Sequence, residues 1–332
     1  MNIRNRRELT SFAAQRLSSA PQEKRIVLIY TGLILGANLL SVLLSYVLGM
    51  KIDQATGLRG LSTRNTLSAI QTMLPLVLSA LLMCLDLGYL STMLRTARGQ
   101  YASPNGLRLG FDRFWVLLRS QIILGLFYVG VCIVSVYASS LIYMITPFYK
   151  HTAALLMPLM AETSVLNPEI LLDDTLYSQL LSSMAPFFVI FAILFIALYI
   201  PVTYRFRMTR YIIIDKPGIS AIMALRESRI MMKGNAVSLF KLDLHLWWYY
   251  AALIACSVVS YGDQILPMLG VEFPFSGDLA YFLFFGIYWV LQAAVYVFLR
   301  NRTEVTYALA YDSIKPEEKK DTGVVLGNIF QM

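Results

Sequence analysis

Lysine and arginine are not scattered along this chain. Of 28, 24 fall in four segments that alternate with long apolar runs: six in residues 1–25, five in 95–119, eight in 205–241 and five in 300–332. Between them lie runs with no Asp, Glu, Lys or Arg at all, at 26–50, 65–85, 120–149, 175–204, 244–262 and 279–299. A helix needs about 20 apolar residues, rising about 1.5 Å each, to cross about 30 Å of hydrocarbon. The pattern predicts an all-α polytopic membrane protein with six transmembrane helices, at about 26–50, 66–94, 120–146, 185–204, 244–262 and 279–299. They form a single transmembrane domain over 1–332.

Basic residues beside spans favour the cytoplasmic face. With 1–25 inside, six crossings put every basic-rich segment and both termini in the cytoplasm. The segments left outside lean acidic, carrying Asp53, Glu162, Glu169, Asp174, Asp263 and Asp278 among others. A net charge of +8 would suggest nucleic acid for a soluble chain. Here anionic lipid headgroups at the inner leaflet account for the excess, and no nucleic-acid partner is implied. The first apolar run is longer than the usual signal-peptide core and lacks a small-residue cleavage site, so it reads as a retained span.

Two short amphipathic helices are expected on the cytoplasmic surface. In the first, at about 6–19, Leu9, Phe12, Ala13 and Leu17 can share a face while Arg6, Arg7 and Arg16 lie elsewhere. The second, at about 217–234, runs from the turn Asp215-Lys216-Pro217-Gly218 to a helix stop at Gly234. Its Arg226, Arg229 and Lys233 line one face, toward lipid or a partner protein, with Ile222, Leu225 and Met232 on another. An external helix at about 168–183 follows Asn167, Pro168 and Glu169, an N-cap, a first-turn proline and an early acid. Gly32 and Gly36 form a small-xxx-small pair suited to helix packing.

Residues 204–250, YRFRMTRYIIIDKPGISAIMALRESRIMMKGNAVSLFKLDLHLWWYY, resemble the bacterial membrane proteins of DUF975, a domain of unknown function. The resemblance rests on Asp215, Ala224, Leu225, Ser228, Met232, Gly234, Leu239, Phe240 and Leu242. RRELTSFAAQRL near the N-terminus and GLRLGFDRFWVLL at 106–118, with Gly110, Phe111 and Phe114, are similar to other parts of that family. The family usually closes its last span with a proline-tyrosine pair and a short aromatic tail, whereas this chain continues as TEVTYALAYDSI over 303–314. The resemblance implies the topology and a Gram-positive-type bacterial origin. It carries over no catalytic residues.

No catalytic signature stands in the sequence: no zincin helix, phosphate loop, nucleophile elbow or Cys-x-x-Cys. The chain therefore reads as a non-enzyme without cofactors or metal. Cys84, Cys132 and Cys256 lie in spans, where a thiol acts as a small apolar group. His151 and His245 fall on opposite faces of the membrane. The Asn301-Arg302-Thr303 sequon lies on the inner side and is incidental. Asp86 is the exception. An aspartate in a span costs about 2.5–3.5 kcal/mol on insertion scales, so it calls for a partner, such as water or an inner-edge arginine like Arg205 or Arg207. The leading reading is a scaffold or accessory subunit that meets anionic lipids and another membrane protein. The alternative is a small transporter of two three-span halves in which Asp86 couples to a proton or cation.

Overall fold

The computed structural model describes residues 5–20, 22–54, 57–162, 174–268, 270 and 278–315. Every regular element among them is helical, with no strand. Helix α1 (Arg6–Ser18) precedes two long helices, α2 (Glu23–Gln54) and α3 (Gly57–Ala97). A 3-10 turn (Pro104–Arg108) leads through α4 (Leu109–Asp112) into α5 (Phe114–Ile145) and α6 (Pro147–Glu162). Then come α7 (Asp174–Phe206), α8 (Thr209–Asp215), α9 (Ala221–Met232), α10 (Ala236–His245), α11 (Trp247–Ser260) and α12 (Gly262–Met268). The last stretch is α13 (Asp278–Val295), a π turn (Tyr296–Arg300) and α14 (Asn301–Ile314).

Among the described residues, five helices are long and apolar enough to cross a membrane, six if the bent pair α10 and α11 counts as one span. Their most apolar stretches are mostly turned outward: 28% or less of each is buried within the protein. Water would not tolerate that much exposed apolar surface, and lipid would. This is a membrane protein.

Contacts group the chain into two compact units, one of residues 118–207 and one of all the rest, where the sequence reading treats 1–332 as one domain. In the smaller unit, Tyr143 donates to the Ser183 carbonyl at 2.9 Å and lies 2.7 Å from Thr152. This buried hydroxyl cluster ties α5, α6 and α7 together. In the larger unit, the 106–110 segment lies along one face of α3. A Cβ on Gly110 would run into the Cys84 carbonyl, and one on Gly88 into the carbonyl of Leu107. Those two glycines let backbone meet backbone.

Several expectations need correction. Gly32 and Gly36 are exposed, and a Cβ on either meets nothing within 4 Å, so the close packing falls to Gly88 and Gly110 instead. The run 244–262 is not one straight span: the helix breaks at Leu246, and α10 meets α11 at 62°. The second surface helix starts later than 217, because Gly218 turns at φ 85° and Ser220 caps Met223 N–H. Within it Leu225 and Met232 are buried, but Ile222 is 68% exposed. Pro147, which reads as a stop, also opens α6, since a first-turn proline loses no helical hydrogen bond. Of the external helix at 168–183, residues 168–173 lie outside the described residues, and from Asp174 onward the chain is already in α7.

Candidate functional site

Asp86 sits on α3, nine residues before Arg95, where the basic segment opens, so about 13 Å from it along the helix. Its carboxylate is not alone. Arg210 of α8 reaches one oxygen at 2.6 Å and Arg300 reaches the other at 2.5 Å. The Tyr30 hydroxyl of α2 donates to it at 2.9 Å. The partners are thus arginines, as an intramembrane acid demands, but they are Arg210 and Arg300 rather than Arg205 or Arg207.

Arg300 is the centre of this cluster. Its side chain is 12% exposed, and its guanidinium lies over the rings of Tyr30, Tyr89 and Tyr296 at 4.9, 5.4 and 4.8 Å. Tyr30 and Tyr89 stack at 4.1 Å. Three π faces and one carboxylate replace the water a buried guanidinium loses. Glu304, one turn on, stands 3.8 Å from Arg300. Two acids and two arginines balance. Arg300 closes the π turn over Tyr296–Arg300, and such turns within helices are frequent at functional sites. The Tyr89 hydroxyl and Arg300 Nε, both buried, have no hydrogen-bond partner among the described residues.

A second balanced cluster lies further along α14. Arg98 pairs with Asp215 at 2.8 Å and forks onto Asp312 at 2.7 and 3.0 Å, while Lys315 reaches Asp215 at 2.7 Å. Hydrogen bonding to Asp312 raises the Arg98 pKa above the ordinary arginine value, with burial opposing it. The Tyr311 hydroxyl donates to Asp215 at 3.1 Å. Between the clusters, Tyr307 donates to Asp243 of α10 at 2.5 Å and accepts from Tyr250 of α11 at 2.7 Å. At the start of α14, Asn301 donates to Glu23 of α2. A buried Asn301 so engaged offers no glycosylation site. Helix α14 is therefore a hub to which α2, α8, α10, α11 and Arg98, the residue just past the end of α3, are all tied by polar bonds.

The basic helix α9 turns Arg226, Arg229 and Lys233 outward, and Gly234 ends it at φ 85°. Its one acid, Glu227, is taken by Lys216 at 2.8 Å.

A family model described as a protein of unknown function, DUF975, matches residues 1–318. The chain belongs to the DUF975 family. No curated protein and no solved structure matches it. Most residues that carry the DUF975 resemblance turn inward here, while Phe111, Gly234 and Phe240 are exposed. Ala224, Leu225, Ser228 and Met232 form the buried side of α9, and Leu239 and Leu242 that of α10. Gly110 makes the close approach to α3, and Asp215 anchors Arg98 and Lys315. The departure at 303–314 is where this DUF975 chain builds its hub. Sequence reasoning found Asp86 but missed Tyr30, Arg98, Arg210, Arg300, Tyr307 and Asp312. The available signal was the pair of acids, Glu304 and Asp312, set at helical spacing among small and aromatic residues.

Proposed function

We propose that this chain is a non-enzymatic scaffold or accessory subunit of a membrane complex. It sits in a bacterial cytoplasmic membrane, with both termini and the basic segments on the cytoplasmic side as the positive-inside rule requires. The saturation of Asp86 carries this reading. A coupling carboxylate must exchange its partners for a proton or cation during each cycle. Asp86 already takes bonds from Arg210, Arg300 and Tyr30. Stripping one partner from a buried pair costs about 3–5 kcal/mol, because a charge is left without a counterpart. Two balanced clusters, together with the bonds of Asn301 and Tyr307, hold α2, α8, α10 and α11 to α14 as a rigid platform. The transporter alternative also expects halves of three spans each, whereas the smaller compact unit, 118–207, holds the third and fourth apolar runs together.

The test is ion flux. Full-length protein reconstituted in vesicles with a trapped pH dye should pass no more protons or cations than protein-free vesicles under an imposed gradient. A flux in wild type that Asp86→Asn abolishes would overturn the scaffold reading. Thiol labelling of single-cysteine variants from outside should modify His151→Cys and spare Arg229→Cys; the reverse would overturn the orientation.

A further inference from the structure

Helices α9 and α10 form two short limbs joined at Gly234, and both turn the same kind of surface outward. At about 1.5 Å per residue, limbs of 12 and 10 residues are about 18 and 15 Å long, too short to cross a bilayer. The 62° bend between α10 and α11 keeps α10 off the line of the helix that follows. On α9 the outward apolar residues are Ile222, Met223 and Ile230; on α10 they are Val237, Phe240 and Leu244, with Trp247 at the joint. Seven large apolar side chains in so short a stretch are not a water-facing surface.

The charges complete the argument. Between 216 and 247 every exposed charged residue is basic: Arg226, Arg229, Lys233 and Lys241. Both acids of this stretch are turned to other partners, Glu227 to Lys216 and Asp243 to Tyr307. What remains outward is basic and apolar, with no exposed acid. That composition complements a layer whose outer rim is anionic and whose next few ångströms are hydrocarbon. It is also continuous with the apolar α11, which starts at Trp247.

We propose that α9 and α10 together are an in-plane anchor embedded in a leaflet of anionic phospholipid, with α10 in the headgroup layer and the crossing made by α11 followed by α12. The proposal rests on the membrane placement above but not on the scaffold role, so the flux test and the following one can fail separately.

Full-length protein lacking Cys84, Cys132 and Cys256 carries a single NBD-labelled cysteine at Ile230→Cys or Val237→Cys, in nanodiscs of phosphatidylcholine and phosphatidylglycerol. Both labels should be quenched by shallow doxyl lipid and protected from aqueous iodide. Quenching by spin-labelled phosphatidylglycerol should exceed that by spin-labelled phosphatidylcholine. Replacing Arg226, Arg229, Lys233 and Lys241 with Gln should cut this preference by about fivefold or more, since each basic residue near an anionic surface contributes about that factor. Where the fourfold variant does not give a monodisperse peak, the Arg226→Gln, Arg229→Gln pair provides the same readout with a smaller drop. Iodide access to both labels, no preference in wild type, or a preference untouched by the Gln variants would each overturn the proposal.

Discussion

Helices α7 and α14 exchange the roles that a soluble protein would give them. None of the most apolar 18-residue stretch within 178–215 is buried inside the protein. Helix α14 carries Glu304, Asp312 and five hydroxyl side chains, yet nine of its fourteen residues are buried. In lipid an outward leucine gives up nothing, so apolar character does not mark the interior. What must be kept from the surroundings is charge and hydroxyl, and these collect where helices can satisfy one another. Helices α2, α10 and α11 are therefore specified less by their apolar surfaces than by the polar bonds they make to α14.

The sharpest way to break this contrast is to remove the acid at its centre. Asp86→Ala leaves two guanidiniums facing each other and should lower the stability of the detergent-solubilised protein by about 3–5 kcal/mol in thermal unfolding. Adding Arg210→Met and Arg300→Met to it should recover much of that loss. A drop no larger than for an outward residue of α7 would end the argument for a hub. Next comes backbone contact. Gly110→Val, which presses on the Cys84 carbonyl, should cost about 3 kcal/mol or more, whereas Gly36→Val should stay within about 0.5. Equal effects would return the packing role to the first span. Tyr307→Phe removes one charge-assisted and one neutral hydrogen bond and should cost about 1.5–3 kcal/mol, measured the same way. The smallest effect is expected at Ile193 on α7, where Ile193→Leu should shift the unfolding midpoint by less than the equivalent of about 0.5 kcal/mol.

Much of the architecture could be read from the chain, because absence of charge over 20 or more residues has few physical meanings. Four of the six uncharged runs, 26–50, 65–85, 175–204 and 279–299, fall within one long helix each, counting the π turn that continues α13, and a fifth, 120–149, leaves α5 at Ile145 and ends in the first turn of α6. The sixth, 244–262, has the right composition, but the break at Leu246 depends on Leu239, Leu242 and Leu246 packing inward, which no local pattern announces. Asp86 was visible because it is chemically out of place in its run. Its partners were not, since Arg210 and Arg300 look like the ordinary basic flank of a span and only tertiary contact turns them inward. Helix α14 was hidden for a related reason: a polar, hydroxyl-rich helix after the last apolar run reads as a surface segment until its neighbours are known. The outward position of Ile222 is a different case. It stands four residues before Arg226 and seven before Arg229, so helical spacing itself puts it on the basic face, away from Leu225 and Met232, and it points out there.

The π turn at Tyr296–Arg300 has a further meaning for how this last stretch of chain is composed. An α-helix advances about 100° per residue, so a single uninterrupted helix from Asp278 to Ile314 would keep one angular phase throughout. Helix α13 and helix α14 answer to opposite surroundings, one showing Leu279 and Val290 outward and the other hiding Tyr307 and Tyr311. Closing a wider ring inserts one residue into the count and resets the phase between them. The five residues behave as a gear between two codes, one written for lipid and one for protein. Either code can then change without dragging the other out of alignment, provided the extra residue is kept.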